Sequence, residues 1–418
     1  MKAASPRRAA VSWALYDWAN SPFATLVVTF VFPAYFASAV VGDPVAGQAE
    51  WGYAMGLSGL LVAVTAPVFG AVADTGGRRK RWLAAFTLLC AAASAALWLV
   101  RPEAAAVTLA VTLVVLANWG LEAAGVFYNA MLPDIAGPGR MGRLSGWAWG
   151  LGYAGGLAAL VLALVALVMP ETPWFGIPKE GAAHIRLIGP LVAAWLLIFA
   201  LPLFLWVPEA SPAAAPALRV RAALRSLGRS LAEVARMGPT GRFLLAHLLY
   251  ADGLATLFAM GGVFVAGAHG FTLEEVMLFG IVLNVTAGLG AAGFAWMDDL
   301  AGPKPTILVA LAGLIAAGAG ILLAEQRLLV WVLGGALGIF VGPAQAAGRS
   351  LLARLAPPER RTELFGLYAL SGKATAFLGP WAVGAVTIAS GSQAAGMAVI
   401  LAFFAAGAAV LATVRPER

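Results

Sequence analysis

Five ionisable side chains lie inside long apolar runs: Asp17, Glu122, Asp252, Arg349 and Lys373. One Asp, Lys or Arg at the centre of a membrane helix costs about 2.5–3.5 kcal/mol on insertion scales. Such a group faces a cavity or a partner, which makes each a candidate for holding a proton, a charged solute or a second helix. Depth separates them. At about 1.5 Å per residue, Asp252 stands about ten residues, or roughly 15 Å, into its run. Lys373 has a similar depth, and Glu122 stands about nine residues from the end of its run. All three fall near a bilayer midplane. Either Glu122 or Asp252 carries a coupling proton while Lys373 holds a carboxylate or pairs with one of the acids, or the charges form a fixed pair that locks helices. Burial raises a carboxyl pKa and a nearby lysine lowers it, so a group moved between such environments takes up and releases a proton.

Asp17 and Arg349 stand nearer the ends of their runs. Asn20 follows Asp17 by three residues and shares its helix face, and Asn129 precedes Arg349 by 220 residues. These four form either a polar gate or a structural polar cluster. Tyr16, Trp18, Asn118, Tyr128, Trp149 and Tyr153 either line a cavity or pack. His247 shares a face with Tyr250 and is a proton-relay candidate.

The elements that must position these groups follow from composition. Hydrophobic residues make up 61% of the chain and charged residues 11%, with mean hydropathy +0.87. Soluble domains have roughly 45–50% apolar and about 25% charged residues, so the outer face of this chain requires lipid. The 49 glycines suit close helix approach in a bilayer, and the 14 tryptophans suit its interfaces. The net charge of +7 fits basic loops beside a membrane rather than nucleic acid. A single Cys90 allows no intrachain disulfide, and with three histidines no zinc site or other cofactor is expected. No G-x-x-x-x-G-K-[ST] loop, HExxH or paired metal-ligand motif is present, which argues against a nucleotide-driven machine and against an enzyme. Lys2, Arg7 and Arg8 precede the first run, and Ala37-Ser38-Ala39 mimics a cleavage site. The run from Val11 to Val40 far exceeds the about 7–15 residues of a signal-peptide core, so it reads as a retained first helix.

Twelve segments qualify as spans: roughly 11–40, 50–73, 82–100, 104–131, 145–169, 187–207, 243–268, 275–297, 306–324, 328–355, 363–390 and 394–414. With an even number of crossings both ends share one side. If that side is the cytoplasm, the inner segments hold almost all the Lys and Arg, and the outer loops hold only Arg101, Lys179, Arg186 and Arg327. The longest weakly hydrophobic stretch lies mid-chain and holds Arg219, Arg221, Arg225, Arg229, Arg236 and Arg242. It is either a basic amphipathic helix on the membrane surface or a solvated linker. This divides the chain into a six-helix bundle over 1–208, a cytoplasmic linker over 209–242 and a second six-helix bundle over 243–418. The halves echo each other. Arg140, Gly146 and Gly152 match Arg360, Gly366 and Gly372, and the loop containing Asp74 and Gly77 matches that containing Asp299 and Gly302. Duplication of a six-helix unit explains both.

The stretch from Gly70 through Asp74, Gly77 and Arg78 to Lys80 resembles the loop motif between helices 2 and 3 of the major facilitator superfamily, with Thr75 replacing the usual basic residue. Trp13-Ala-Leu-Tyr16-Asp17-Trp18-Ala-Asn20-Ser21, Phe127-Tyr128-Asn129-Ala-Met-Leu-Pro133-Asp134 and Gly366 to Pro380 resemble the branch that includes the yeast autophagy-related vacuolar amino-acid effluxer and its bacterial relatives. The resemblance implies an all-α integral membrane protein of twelve helices with both termini cytoplasmic. It would be a multi-pass, monomeric transporter of the cell inner membrane, moving an amino acid or another small solute by alternating access. It also implies that helices 4, 7 and 11 line the cavity, and that Gly70, Asp74, Gly77, Arg78 and Glu363 form an inter-half latch. The basic run Arg78 to Arg81 alternatively only fixes topology. A non-transporting nutrient sensor on the same fold is the other functional class.

Overall fold

The computed structural model describes residues 5–74, 79–136, 141–209, 238–355, 364, 368, 371–372 and 375–415. Among them the secondary structure is helical throughout. The principal helices are α1 Pro6–Val41, α2 Pro44–Asp74, α3 Arg79–Leu99, α4 Ala104–Ala130, α5 Met141–Ala163, α6 Ile188–Trp206, α7 Gly238–His269, α8 Leu273–Ala301, α9 Pro303–Leu323, α10 Arg327–Leu355, α11 Leu378–Ser390 and α12 Gln393–Ala412. Among the described residues, ten helices are long and apolar enough to cross a membrane. In addition α2 runs for 31 residues, and α11 is the described end of the span expected over 363–390.

Local chemistry sets the ends. The Ser5 hydroxyl accepts from the Arg8 N–H with Pro6 at the first helical position, and Thr272 with Glu275 forms a reciprocal cap on α8. Gly42 closes α1 at φ 76°, a left-handed geometry that costs glycine little.

By contacts the chain divides into two compact units. One runs to Gly42 and resumes at Val64 for the rest of the first half; the other takes Asp43–Ala63 and the second half. Packing repeats between them. In the first unit α1 lies on α5 and α6, and α3 lies on α4 and α6. In the second α7 lies on α11 and α12, and α9 lies on α10 and α12. Lipid supplies no hydrophobic drive between helices, so close backbone approach matters. Gly120 meets the Phe86 carbonyl at 3.1 Å from an ideal Cβ, and Gly407 meets the Ala246 carbonyl at 3.2 Å. Large apolar side chains such as Trp296, Leu323 and Leu328 face outward, as a lipid-bathed surface requires.

Proline organises several contacts because it cannot donate to the carbonyl four residues back. Pro22 leaves the Trp18 carbonyl without its helical donor, and Trp195 Nε1 donates to it at 3.1 Å. After Pro22, α1 widens to π geometry over Phe23–Phe30. Pro343 likewise frees the Ile339 carbonyl, which packs directly against Gly290 of α8.

The described part of α3 is already helical at Arg79, and its basic residues have partners on neighbouring helices. Arg79 donates to the Ala130 carbonyl at 2.9 Å and pairs with Asp134 at 2.6 Å. Lys80 Nζ donates to the Phe204 and Val207 carbonyls, both at 2.7 Å, at the end of α6. The second unit repeats the device: Lys304 Nζ donates to the Ala412 and Val414 carbonyls at 2.9 and 2.6 Å at the end of α12. An ammonium on exposed helix-end carbonyls is worth about 1–2 kcal/mol. Lys304→Met is therefore expected to lower the thermal midpoint of detergent-solubilised protein by roughly 2 °C, with Lys304→Arg recovering most of it. An unchanged midpoint in the Met variant would remove the capping role.

Candidate functional site

Each unit carries a polar, aromatic-walled cluster on its first helix. In the first unit Trp13 stacks on Tyr128 at 4.4 Å and its Nε1 donates to the Tyr128 carbonyl at 3.1 Å. Tyr16 lies 4.9 Å from the Tyr128 ring and shares a 2.7 Å hydrogen bond with the Thr87 hydroxyl. These contacts fix the face from which Asp17 projects. Asp17 is half-buried, and Asn20 Nδ2 donates to its Oδ1 at 3.3 Å. The Tyr128 hydroxyl is the other polar group beside the carboxylate, without a hydrogen bond of normal geometry among the described residues. Gly152 and Gly155 allow α5 this close: a Cβ at 155 would stand 2.7 Å from the Trp18 carbonyl. Glu122 is half-buried on α4. Three and seven residues on, Gly125 faces open space and Asn129 is exposed. Helical spacing puts all three on one face.

In the second unit His247 and Tyr250 of α7 stand three residues apart, as Trp13 and Tyr16 do in α1. His247 stacks on Tyr368 at 3.7 Å and meets Tyr250 edge-on at 5.2 Å. Its Nδ1 lies 2.9 Å from the Ser371 hydroxyl, which itself donates to the Tyr368 carbonyl at 2.8 Å. With that hydroxyl proton committed, His247 donates from Nδ1, and Nε2 is left as the acceptor. Arg349 is exposed on α10 and lies within electrostatic reach of Tyr368.

Asp252 points to another side of α7 and is 1% exposed. Thr256, one turn on, donates to the Asp252 backbone carbonyl at 2.7 Å. The Gly379 N–H and the Thr375 hydroxyl are the polar groups beside the carboxylate, yet neither makes a hydrogen bond of normal geometry with it, and both carboxylate oxygens lack such a partner among the described residues.

A third polar group is held within the second unit. Gln48 Nε2 donates to the Thr387 hydroxyl at 2.9 Å and to the Gln393 carbonyl at 3.0 Å. Gln393 Nε2 donates to the Pro44 carbonyl at 2.8 Å, and Trp51 Nε1 to the Ala259 carbonyl at 2.8 Å. Residues 43–63, within the sequence range 1–208, thus make these contacts in the second unit.

Of the residues singled out by sequence, Asp17 with Asn20 is brought together directly. Lys373, Gly77, Arg78 and Glu363 lie outside the described residues, as does the Asp74 side chain, so the latch and the Lys373 pairing are outside them too. Sequence reading passed over Thr256, Thr375 and Ser371. Only Thr256 carried a signal, its i+4 spacing from Asp252. Among the described residues no group of three or more His, Cys, Asp or Glu could hold a metal ion.

Comparison with known proteins bears on all of this. The family model described as "Vacuole effluxer Atg22 like" matches residues 39–418. An uncharacterised MFS-type transporter, YxiO, of Bacillus subtilis is 25% identical over 97% of this chain and 94% of its own. Autophagy-related protein 22 of Coccidioides immitis is 22% identical over 80% of this chain and 67% of its own. Among solved structures, a point mutant of the nucleoside transporter NupG superposes with TM-score 0.72 at 14% identity over 97% of this chain and 98% of its own. A D-xylose–proton symporter gives 0.71 at 15% over 98% of each. The fold is that of a major facilitator.

Proposed function

The chain belongs to the vacuole effluxer Atg22-like family, and we propose that it is a proton-coupled transporter exporting a small solute, an amino acid or related metabolite, by alternating access. A multi-pass membrane transporter of the major facilitator type, not an enzyme, is what the relatives and the fold establish. The finer reading rests on the repeated clusters. Each unit sets two rings three residues apart on one helix, Trp13 and Tyr16 on α1 against Tyr128, and His247 and Tyr250 on α7 against each other, beside hydrogen-bonding groups. Asp17 and Asn20 offer a carboxylate and an amide to an ammonium or hydroxyl of the cargo; Lys373 is proposed to hold the cargo carboxylate. The coupling proton is assigned to Glu122 rather than Asp252, because Glu122 is half-buried whereas Asp252 is 1% exposed.

The same reading places both termini in the cytoplasm of a monomer in the cell inner membrane, on the strength of the Lys and Arg distribution. Asn129 and Arg349 gate that side. The Gly70 to Arg78 loop and Glu363 act as the latch between halves. On that basis Asp74→Ala slows transport without changing solute affinity, and an unchanged rate would refute the latch. Counterflow in proteoliposomes with a panel of amino acids tests the cargo class. Exchange of at least one amino acid is expected. Exchange of only sugars or nucleosides would overturn the amino-acid reading while leaving a transporter.

A further inference from the structure

We propose that Asp17 of α1 and the rings of Trp149 and Tyr153 of α5 seat a cationic ammonium group, which makes the cargo an amine-bearing solute. The site lies within the first unit. It rests on the transport reading and narrows it, choosing an ammonium over a hydroxyl as the group recognised.

Asp17 is a charge in an apolar span without a positive partner. Asn20 Nδ2 reaches it at 3.3 Å, a neutral donor at long range. None of the ion pairs among the described residues includes it. The Tyr128 hydroxyl borders the carboxylate. Tyr128 is 3% exposed, and its hydroxyl has no hydrogen-bond partner of its own among the described residues. The Tyr16 hydroxyl is committed to Thr87 at 2.7 Å. A carboxylate at membrane depth served only by neutral groups keeps its charge, and a cation offsets it.

Helix geometry brings the two rings of α5 to the same side. A Cβ at Gly152 would stand 3.5 Å from Asp17 Cβ and 2.9 Å from Ser21 Oγ, whereas one at Gly155 would meet Trp18. The Gly152 edge of α5 therefore faces Asp17, and the Gly155 edge faces Trp18, which stacks on Trp195 of α6. At about 100° per residue, Trp149 and Tyr153 lie beyond Gly152, on the Asp17 side. Trp147, Val161 and Val165 lie beyond Gly155, on the other. Both stripes are exposed, so α5 shows two open flanks with the α1 contact between them. The Trp147 flank is wholly apolar, as lipid requires. The other pairs the Trp149 and Tyr153 rings, with centroids 6.1 Å apart, and a Cβ at Gly150 there would meet nothing within 4 Å. Ala24, two turns on from Asp17, is exposed as well.

Charge selects the ligand. Residues 11–30, 107–130 and 147–163, which build this side of α1, α4 and α5, contain no Lys or Arg. An anionic group has nothing to pair with here. An ammonium gives its N–H groups to the carboxylate and to the Tyr128 oxygen, and its positive charge is attracted to the ring faces of Trp149 and Tyr153. A hydroxyl of the same size would leave the carboxylate charge without an offset.

The test uses purified full-length protein in detergent and two probes of matched shape, phenethylammonium chloride and 2-phenylethanol. A saturable rise in thermal midpoint with the ammonium probe, and none with the alcohol at equal concentration, is expected. Asp17→Asn should abolish it. Trp149→Ala and Tyr153→Ala should each weaken binding roughly five- to tenfold, while Trp147→Ala on the opposite flank binds as wild type. Equal stabilisation by the two probes overturns the site, and so does equal weakening in Trp147→Ala and Trp149→Ala. If Asp17→Asn does not fold, the ring variants decide: unchanged binding in both overturns it. Amino-acid counterflow in proteoliposomes separates this from the transport reading. Exchange by a protein that binds amine and alcohol alike refutes the ammonium seat and leaves a transporter.

Discussion

Glu122→Gln is expected to abolish proton-driven uptake into inside-out vesicles, the orientation in which export is read as uptake, and to leave counterflow exchange at wild-type rate. The substitution keeps the size of the side chain and its hydrogen-bonding ends but removes the titratable group. Counterflow moves solute out and solute in without net proton movement, so it needs the cavity and the conformational switch but no proton carrier. Net uptake against a gradient needs all three. Glu122 is half-buried on α4, on the same face as open Gly125 and exposed Asn129, and the proposal turns that face toward the water-filled cavity. Equal loss of both activities would reassign Glu122 to solute binding or folding. An Asp252→Asn protein that behaves in the way expected of Glu122→Gln would move the proton to α7.

The second large effect concerns packing. Gly290→Val is expected to prevent accumulation of folded protein. Pro343 leaves the Ile339 carbonyl without a helical donor, and that carbonyl sits directly against Gly290. Any Cβ there would overlap backbone, not the movable end of a side chain. Overpacking costs about 1–3 kcal/mol even where side chains can shift, and here α8 and α10 would have to separate along their main contact. Fluorescence-detected size exclusion should show loss of the monodisperse peak for Gly290→Val and its retention for Gly293→Val, where a Cβ meets open space. Similar peaks for both would mean that the α8–α10 contact is not needed for folding.

Much of the fold was legible because lipid imposes a length on every apolar run. The spans around α1, α7, α9 and α12 fall within a few residues of their sequence expectations. What could not be read depended on partners distant in sequence. Nothing in the charge pattern of Arg78 to Arg81 shows that Asp134 and the α6 carbonyls receive Arg79 and Lys80. Gln48 gives no sign in sequence that it bonds Thr387 and the Gln393 carbonyl, more than three hundred residues on. The cluster around Asp252 needed a threonine from a turn that the apolar pattern of 363–390 presents as continuous helix.

The measurement closest to the central claim is labelling of Gly125→Cys, in a Cys90→Ala background, with a membrane-impermeant maleimide applied separately to each face of the membrane. The only native cysteine is buried, and a side chain at 125 meets nothing within 4 Å, so the probe site is both unique and tolerated. Alternating access predicts modification from both faces, with cargo shifting the ratio of the two rates. Labelling from one face only, with and without cargo, would contradict it.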